Sequence, residues 1–93
     1  MPSRDAIVAQ IKCALVDVLE LDLSPDRIGD DDDLFSGGMG VDSVEALEIL
    51  TEIERRFGVK IPEDDVGFGL FQSVGSLAEA VEAALGARAG GAP

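Results

Sequence analysis

Asp42-Ser43-Val44-Glu45-Ala46-Leu47-Glu48-Ile49-Leu50-Thr51-Glu52-Ile53-Glu54-Arg55-Arg56-Phe57-Gly58 reads as one amphipathic helix, and the fold follows from it. Ala46, Ile49, Leu50, Ile53 and Phe57 recur at three- and four-residue intervals, while Glu45, Glu48, Glu52 and Arg55 fill another face. Asp42 suits the N-cap, and Glu45 three positions on completes a capping box. Ser43 then falls in the first turn, near the positive end of the helix dipole, where a phosphate ester is electrostatically tolerated. Arg55 and Arg56 complement the other end of the dipole, and Gly58 takes the C-terminal cap position.

Upstream, Ser3 can cap a helix running to Leu19 or Glu20, with Ile7, Val8, Ile11, Leu15, Val18 and Leu19 inward. A connection of some twenty residues follows, carrying Ser24-Pro25, Gly29, the acids Asp30 to Asp33, and Gly37-Gly38-Met39-Gly40, all signals against continuous helix. Its length suggests a functional or partner-facing role, and Leu34 and Phe35 are expected to pin it to the core. Downstream, Val59 to Pro62 is an extended link, and Pro62 followed by Glu63, Asp64 and Asp65 opens a short, weakly specified helix through Phe71. The last helix buries Val74, Leu77, Ala78, Val81 and Leu85, starting at Ser73 in preference to a capping box at Ser76 and Glu79. Residues 87–93 are Ala- and Gly-rich and read as a disordered tail behind a domain of residues 1–86. These elements give an all-α fold: a small four-helix bundle of three main helices and one short one, with a long first loop.

Composition narrows the chemistry. The 93 residues hold nineteen acids against seven bases, a formal charge of −12, which repels nucleic acid and anionic membrane and attracts basic protein surfaces. No stretch is long enough to cross a bilayer and no secretory leader is evident, so the expected location is cytoplasmic. A lone Cys13, set opposite the inward stripe of its helix, reads as an adventitious surface thiol. With no histidine, a His-dependent triad cannot exist, and Gly40 to Val44 lacks the glycine spacing of a hydrolase elbow. The chain is therefore read as non-enzymatic, with any base for a reaction at Ser43 supplied by another protein. Asp30 to Asp33 and Glu63 to Asp65 lack the ligand alternation of a calcium loop and read as solvated charge, so no metal site is expected.

Asp31 to Phe35, Gly40-Val41-Asp42-Ser43-Val44, Phe57-Gly58-Val59, Ile61-Pro62 and Val74-Gly75-Ser76-Leu77 together resemble an acyl carrier protein, over residues 5 to 85. The resemblance implies a phosphopantetheine-dependent carrier of the discrete type: 4′-phosphopantetheine from coenzyme A esterified to Ser43 by a separate transferase, which makes the chain a phosphoprotein. It implies a docking face of Asp42, Val44, Glu45, Glu48 and Glu54, with Val44 in place of the usual leucine, and spacing adds Glu52. Thr51 stands where a hydrophobic contact is common and Arg55 where an acid is common, which suggests a narrower or different partner set. Partners implied are the phosphopantetheinyl transferase and loading, ketosynthase-type or tailoring enzymes with basic patches, met by a monomer.

The implied function is to carry acyl thioesters for fatty acid, polyketide or other specialised biosynthesis. Aminoacyl or peptidyl carriage is the nearer alternative, and an unmodified acidic helical adapter the more distant one. Whether a bound chain is sequestered between the helices is not fixed by the sequence; Ile49, Ile53, Ile61 and Val66, with Phe68 and Phe71, are the residues that could line such a cavity.

Overall fold

The computed structural model describes residues 2–22, 24–31, 42–61 and 72–90, with the backbone alone for Ser43 and residues 87–90. Among the described residues are three α-helices, α1 (Arg4–Leu19), α2 (Ser43–Phe57) and α3 (Val74–Gly90), one 3₁₀ turn (Pro25–Arg27), and no strand. The expected short helix after Pro62, the anchoring role of Leu34 and Phe35, and the tail residues 91–93 lie outside the described residues.

α1 begins where Ser3 is extended and its Oγ accepts the Ala6 N–H at 3.2 Å. It ends at Glu20, which adopts the left-handed region at φ 52°, while the Glu20 and Leu21 N–H groups both donate to Val16 O. A non-glycine residue there costs roughly 1–2 kcal/mol. The two bonds to Val16 and the partial burial of Leu19 and Leu21 on either side offset that cost. Ile7, Ile11, Ala14 and Leu15 are buried, with Val8, Val18 and Leu19 at the edge of the core.

α1 is the organising element, packing against α2, α3 and the 3₁₀ turn. Ile49 and Ile53 from α2, and Val74, Leu77, Ala78 and Val81 from α3, complete the core around it, all fully buried. Each large aliphatic side chain withdrawn from water contributes roughly 1.5–3 kcal/mol. Ile28, from the first connection, is also buried, although nothing in the sequence periodicity marks it. The 3₁₀ turn just before it aims Ile28 inward, and Asp30 fastens the chain beyond it. Asp30 O accepts from Gly75 N at 2.9 Å and its carboxylate pairs with Lys12 at 2.6 Å, tying the connection to α3 and to α1.

After α2, Val59 and Ile61 are buried again, in a stretch that is neither helix nor strand. α3 starts from Ser73, whose Oγ accepts the Ser76 N–H and whose carbonyl accepts from Leu77, so Ser73 is the start and the Ser76 capping box is not needed. α3 passes through Gly86 and runs to Gly90, so residues 87–90, expected in the disordered tail, are helical. A single glycine in a helix interior costs only about 1 kcal/mol relative to alanine, and the Ala-Arg-Ala stretch behind it favours helix.

Candidate functional site

The N-terminus of α2 is built by reciprocal capping. Asp42 Oδ1 accepts the Glu45 N–H at 2.8 Å, and Glu45 Oε1 accepts the Asp42 N–H at 3.3 Å. Asp42 itself is extended, at φ −94° and ψ 178°, so the chain turns sharply into the helix and Ser43 is its first residue. Flanking Ser43 on either side, Asp42 and Val44 are exposed, Val44 at 65%. A first-turn residue between two exposed neighbours suits a bulky anionic ester, because the helix dipole favours negative charge there.

From this end the outward face of α2 divides in two. Glu48 is exposed, and no ion pair among the described residues engages it. Glu52, one turn further, is gripped from both sides. Arg55 donates from Nε at 3.1 Å and Nη2 at 2.7 Å, and Arg56 from Nε at 2.6 Å. These bonds, Arg55's first and then Arg56's, lower the Glu52 pKa from 4.5 to about 2, and the same contact raises both guanidinium values. Arg56 also donates to Asp17 and to Gln10 Oε1, so α2 is latched to the side of α1.

Glu54 turns away from the helix surface toward the chain that follows, accepting the Ile61 N–H at 2.7 Å. The Thr51 hydroxyl donates to Leu47 O at 2.9 Å, one turn back, which leaves its methyl group to the surface. Of the seven residues expected to meet partners around Ser43, then, Asp42, Val44, Glu45 and Glu48 lie at the Ser43 end, Thr51 follows, and Glu52 and Glu54 hold intramolecular contacts.

Leu47 went unmarked in the sequence reading, yet it is 59% exposed. Its signal was available: it is apolar and falls outside the 46, 49, 50, 53 stripe. With Val18, Val44, Glu48, Thr51 and Glu52 it lines an open groove of about 420 Å³ between the end of α1 and α2. The residues expected to surround a carried chain divide: Ile49, Ile53 and Ile61 are packed into the core, while Val66, Phe68 and Phe71 lie outside the described residues. No group of three or more potential metal ligands occurs among the described residues, nor any helix long and apolar enough to cross a membrane.

The sequence matches the family model for a phosphopantetheine attachment site over residues 9–81. It is similar to an acyl carrier protein of Chlorobium phaeovibrioides, 28% identical over 76 residues that cover 80% of this chain and 90% of the relative. A shorter match, 40% identical over 35 residues, links it to an acyl carrier protein of Chloroherpeton thalassium, covering 38% of this chain and 44% of that relative. A D-alanyl carrier protein of Streptococcus sanguinis is 29% identical over 73 residues, 76% of this chain and 90% of the relative.

Proposed function

Since the chain belongs to the phosphopantetheine-attachment family of acyl carrier proteins, whose cofactor is covalent 4′-phosphopantetheine, we propose that Ser43 is the attachment residue and that the protein carries acyl groups between enzymes. The observation that carries this is the place of Ser43: first residue of a doubly capped helix, between two exposed neighbours, inside the matched stretch. The bound arm would supply a terminal thiol on which cargo rides as a thioester.

This chain's own residues supply the rest. Asp42 and Glu45 fix the backbone on which Ser43 is presented, so the serine enters a partner's active site in one orientation. The Ser43 hydroxyl takes the phosphopantetheinyl group from coenzyme A, its proton leaves to a base on the transferase, and adenosine 3′,5′-bisphosphate departs. The chain has no histidine, the commonest general base, which supports assigning that base to the transferase. Val44, Glu45 and Glu48 then form the surface that enzymes with basic patches meet, with Thr51, Glu52 and Glu54 further along and Asp42 beside the arm. Docking needs only to be weak, since the tether holds the cargo at high effective concentration.

The cargo class is acyl, for fatty acid, polyketide or related assembly in the cytoplasm, where coenzyme A is available. Similarity to a D-alanyl carrier supports aminoacyl cargo as a second reading. Incubation with coenzyme A, magnesium and a broad-specificity phosphopantetheinyl transferase should add one phosphopantetheine to the intact mass. Ser43→Ala should stay folded by circular dichroism and gain nothing. Loading of that variant, or a wild type that stays unmodified, would overturn the assignment and leave the unmodified acidic adapter.

A further inference from the structure

Asp5, Val8, Ala9, Lys12 and Cys13 share one face of α1 at three- and four-residue spacing, and the 3₁₀ turn packs beside them. Between that face and Pro25 and Asp26 of the turn lies a groove of about 470 Å³. Its walls are mixed: Val8 packs partly against the core, Cys13 and Pro25 are half-buried, and Ala9 is exposed. Its carboxylates come from Asp5, Asp26 and Asp30. Lys12 shows what such a groove accommodates, since its side chain is only 16% exposed while its ammonium meets Asp30 at 2.6 Å. An aliphatic stem lies along apolar surface there and carries its charge to an acid. Asp5 and Asp26 are exposed, and neither has a cationic partner among the described residues. This face is also distinct from the one that meets α2, because Gln10 and Asp17, the contacts of Arg56, lie on another flank of α1.

We propose that the groove between α1 and the 3₁₀ turn docks a basic side chain of a protein partner, an arginine or lysine flanked by apolar residues, independently of the α2 face beside Ser43. The stem lies against Val8, Ala9 and Pro25 as that of Lys12 does, and the cation sits between Asp5 and Asp26. Charge chooses the occupant: three carboxylates against one ammonium, on a chain of net charge −12, repel nucleic acid and acidic protein and attract a base. Exposed ion pairs alone are weak, so the flanking apolar residues are needed to cover Ala9 and Cys13 and slow departure. A partner held here leaves Ser43 open, so one protein can retain the chain while another loads it. That consequence rests on the carrier reading; the groove itself does not.

The test uses isotope-labelled apo protein, titrated with acetyl-Leu-Arg-Leu-amide and followed by the NMR shifts of its backbone amides, with acetyl-Leu-Glu-Leu-amide as control. Saturable shifts are expected at residues 5–13 and 25–30 with the arginine peptide alone. Cys13, the only thiol of the apo chain, should react more slowly with iodoacetamide when that peptide is bound. Asp5→Asn and Asp26→Asn, checked for folding by thermal melting, should each weaken the peptide about two- to fivefold. Shifts strongest at Glu45 and Glu48, or undiminished in both variants, would overturn the docking site. Arginine amide binding as tightly as the peptide would make the groove a small-cation site and overturn a protein occupant. A wild-type dimer in sedimentation velocity that Asp26→Asn dissolves would make the occupant a second copy, with the same result. Saturating peptide should leave KM for transferase loading of Ser43 unchanged, and a raised KM overturns the independence of the two faces. If the wild type accepts no phosphopantetheine, the carrier reading fails, while the amide shifts still decide the docking site.

Discussion

Glu52 shows how far one side chain's partners can depart from its pattern in sequence. Spacing alone sets it with Glu45 and Glu48 as a third carboxylate of one anionic stripe, because a helix places residues three and four apart on one face. Whether such a carboxylate faces solvent or is claimed by a neighbour depends on Arg55 and Arg56, and on where Asp17 and Gln10 of another helix hold Arg56. That last placement is tertiary and unreadable in the local sequence. The perturbed titration gives a direct check. Glu52 has its pKa lowered from 4.5 to about 2, so its stabilising effect is complete above the unfolded value and is lost as pH falls through the window between them. Melting temperature followed from pH 6 to pH 2 should therefore fall less steeply in Glu52→Gln than in wild type across that window. Parallel curves would mean that the two arginines do not hold this carboxylate in solution.

At the scale of the helix, local rules reached far. Asp42, Glu45 and Gly58 marked both ends of α2 because capping chemistry is local, and Gly58 does adopt the left-handed conformation, at φ 65°. Ser3 and Ser73 did the same for the starts of α1 and α3. The end of α1 at Leu19 and Glu20 was read as well, although its cap is a left-handed Glu20 with no glycine to mark it, whereas α3 passes straight through Gly86. Ile28 was missed because one buried residue in an irregular segment has no period to reveal it. Gly86 supplies the test at this scale. A β-carbon built there meets nothing within 4 Å, so Gly86→Ala should stabilise the protein by about 0.5–1 kcal/mol in urea unfolding, through helix propensity alone. A loss of stability would show that the last turns of α3 are not helical in solution.

For the whole molecule the governing quantity is charge. Arg4, Lys12, Arg55 and Arg56 are all held in ion pairs, with Glu82, Asp30, Glu52 and Asp17, so bases already in deficit act chiefly as internal ties. The remaining acids repel one another and attract basic partners, and salt screens both effects, with a Debye length of about 10 Å at 0.1 M. Raising sodium chloride from about 0.02 to 0.5 M should therefore increase the melting temperature while it raises KM for transferase loading. A melting temperature that falls with salt would mean that the internal pairs outweigh the repulsion. The central place of α1 also bears on how the chain is made. Its apolar side must wait for α2 and α3, which leave the ribosome later. At roughly 5–20 residues per second, that face stays uncovered for several seconds of every synthesis. During that interval the nascent chain relies on its negative charge to keep neighbouring copies apart.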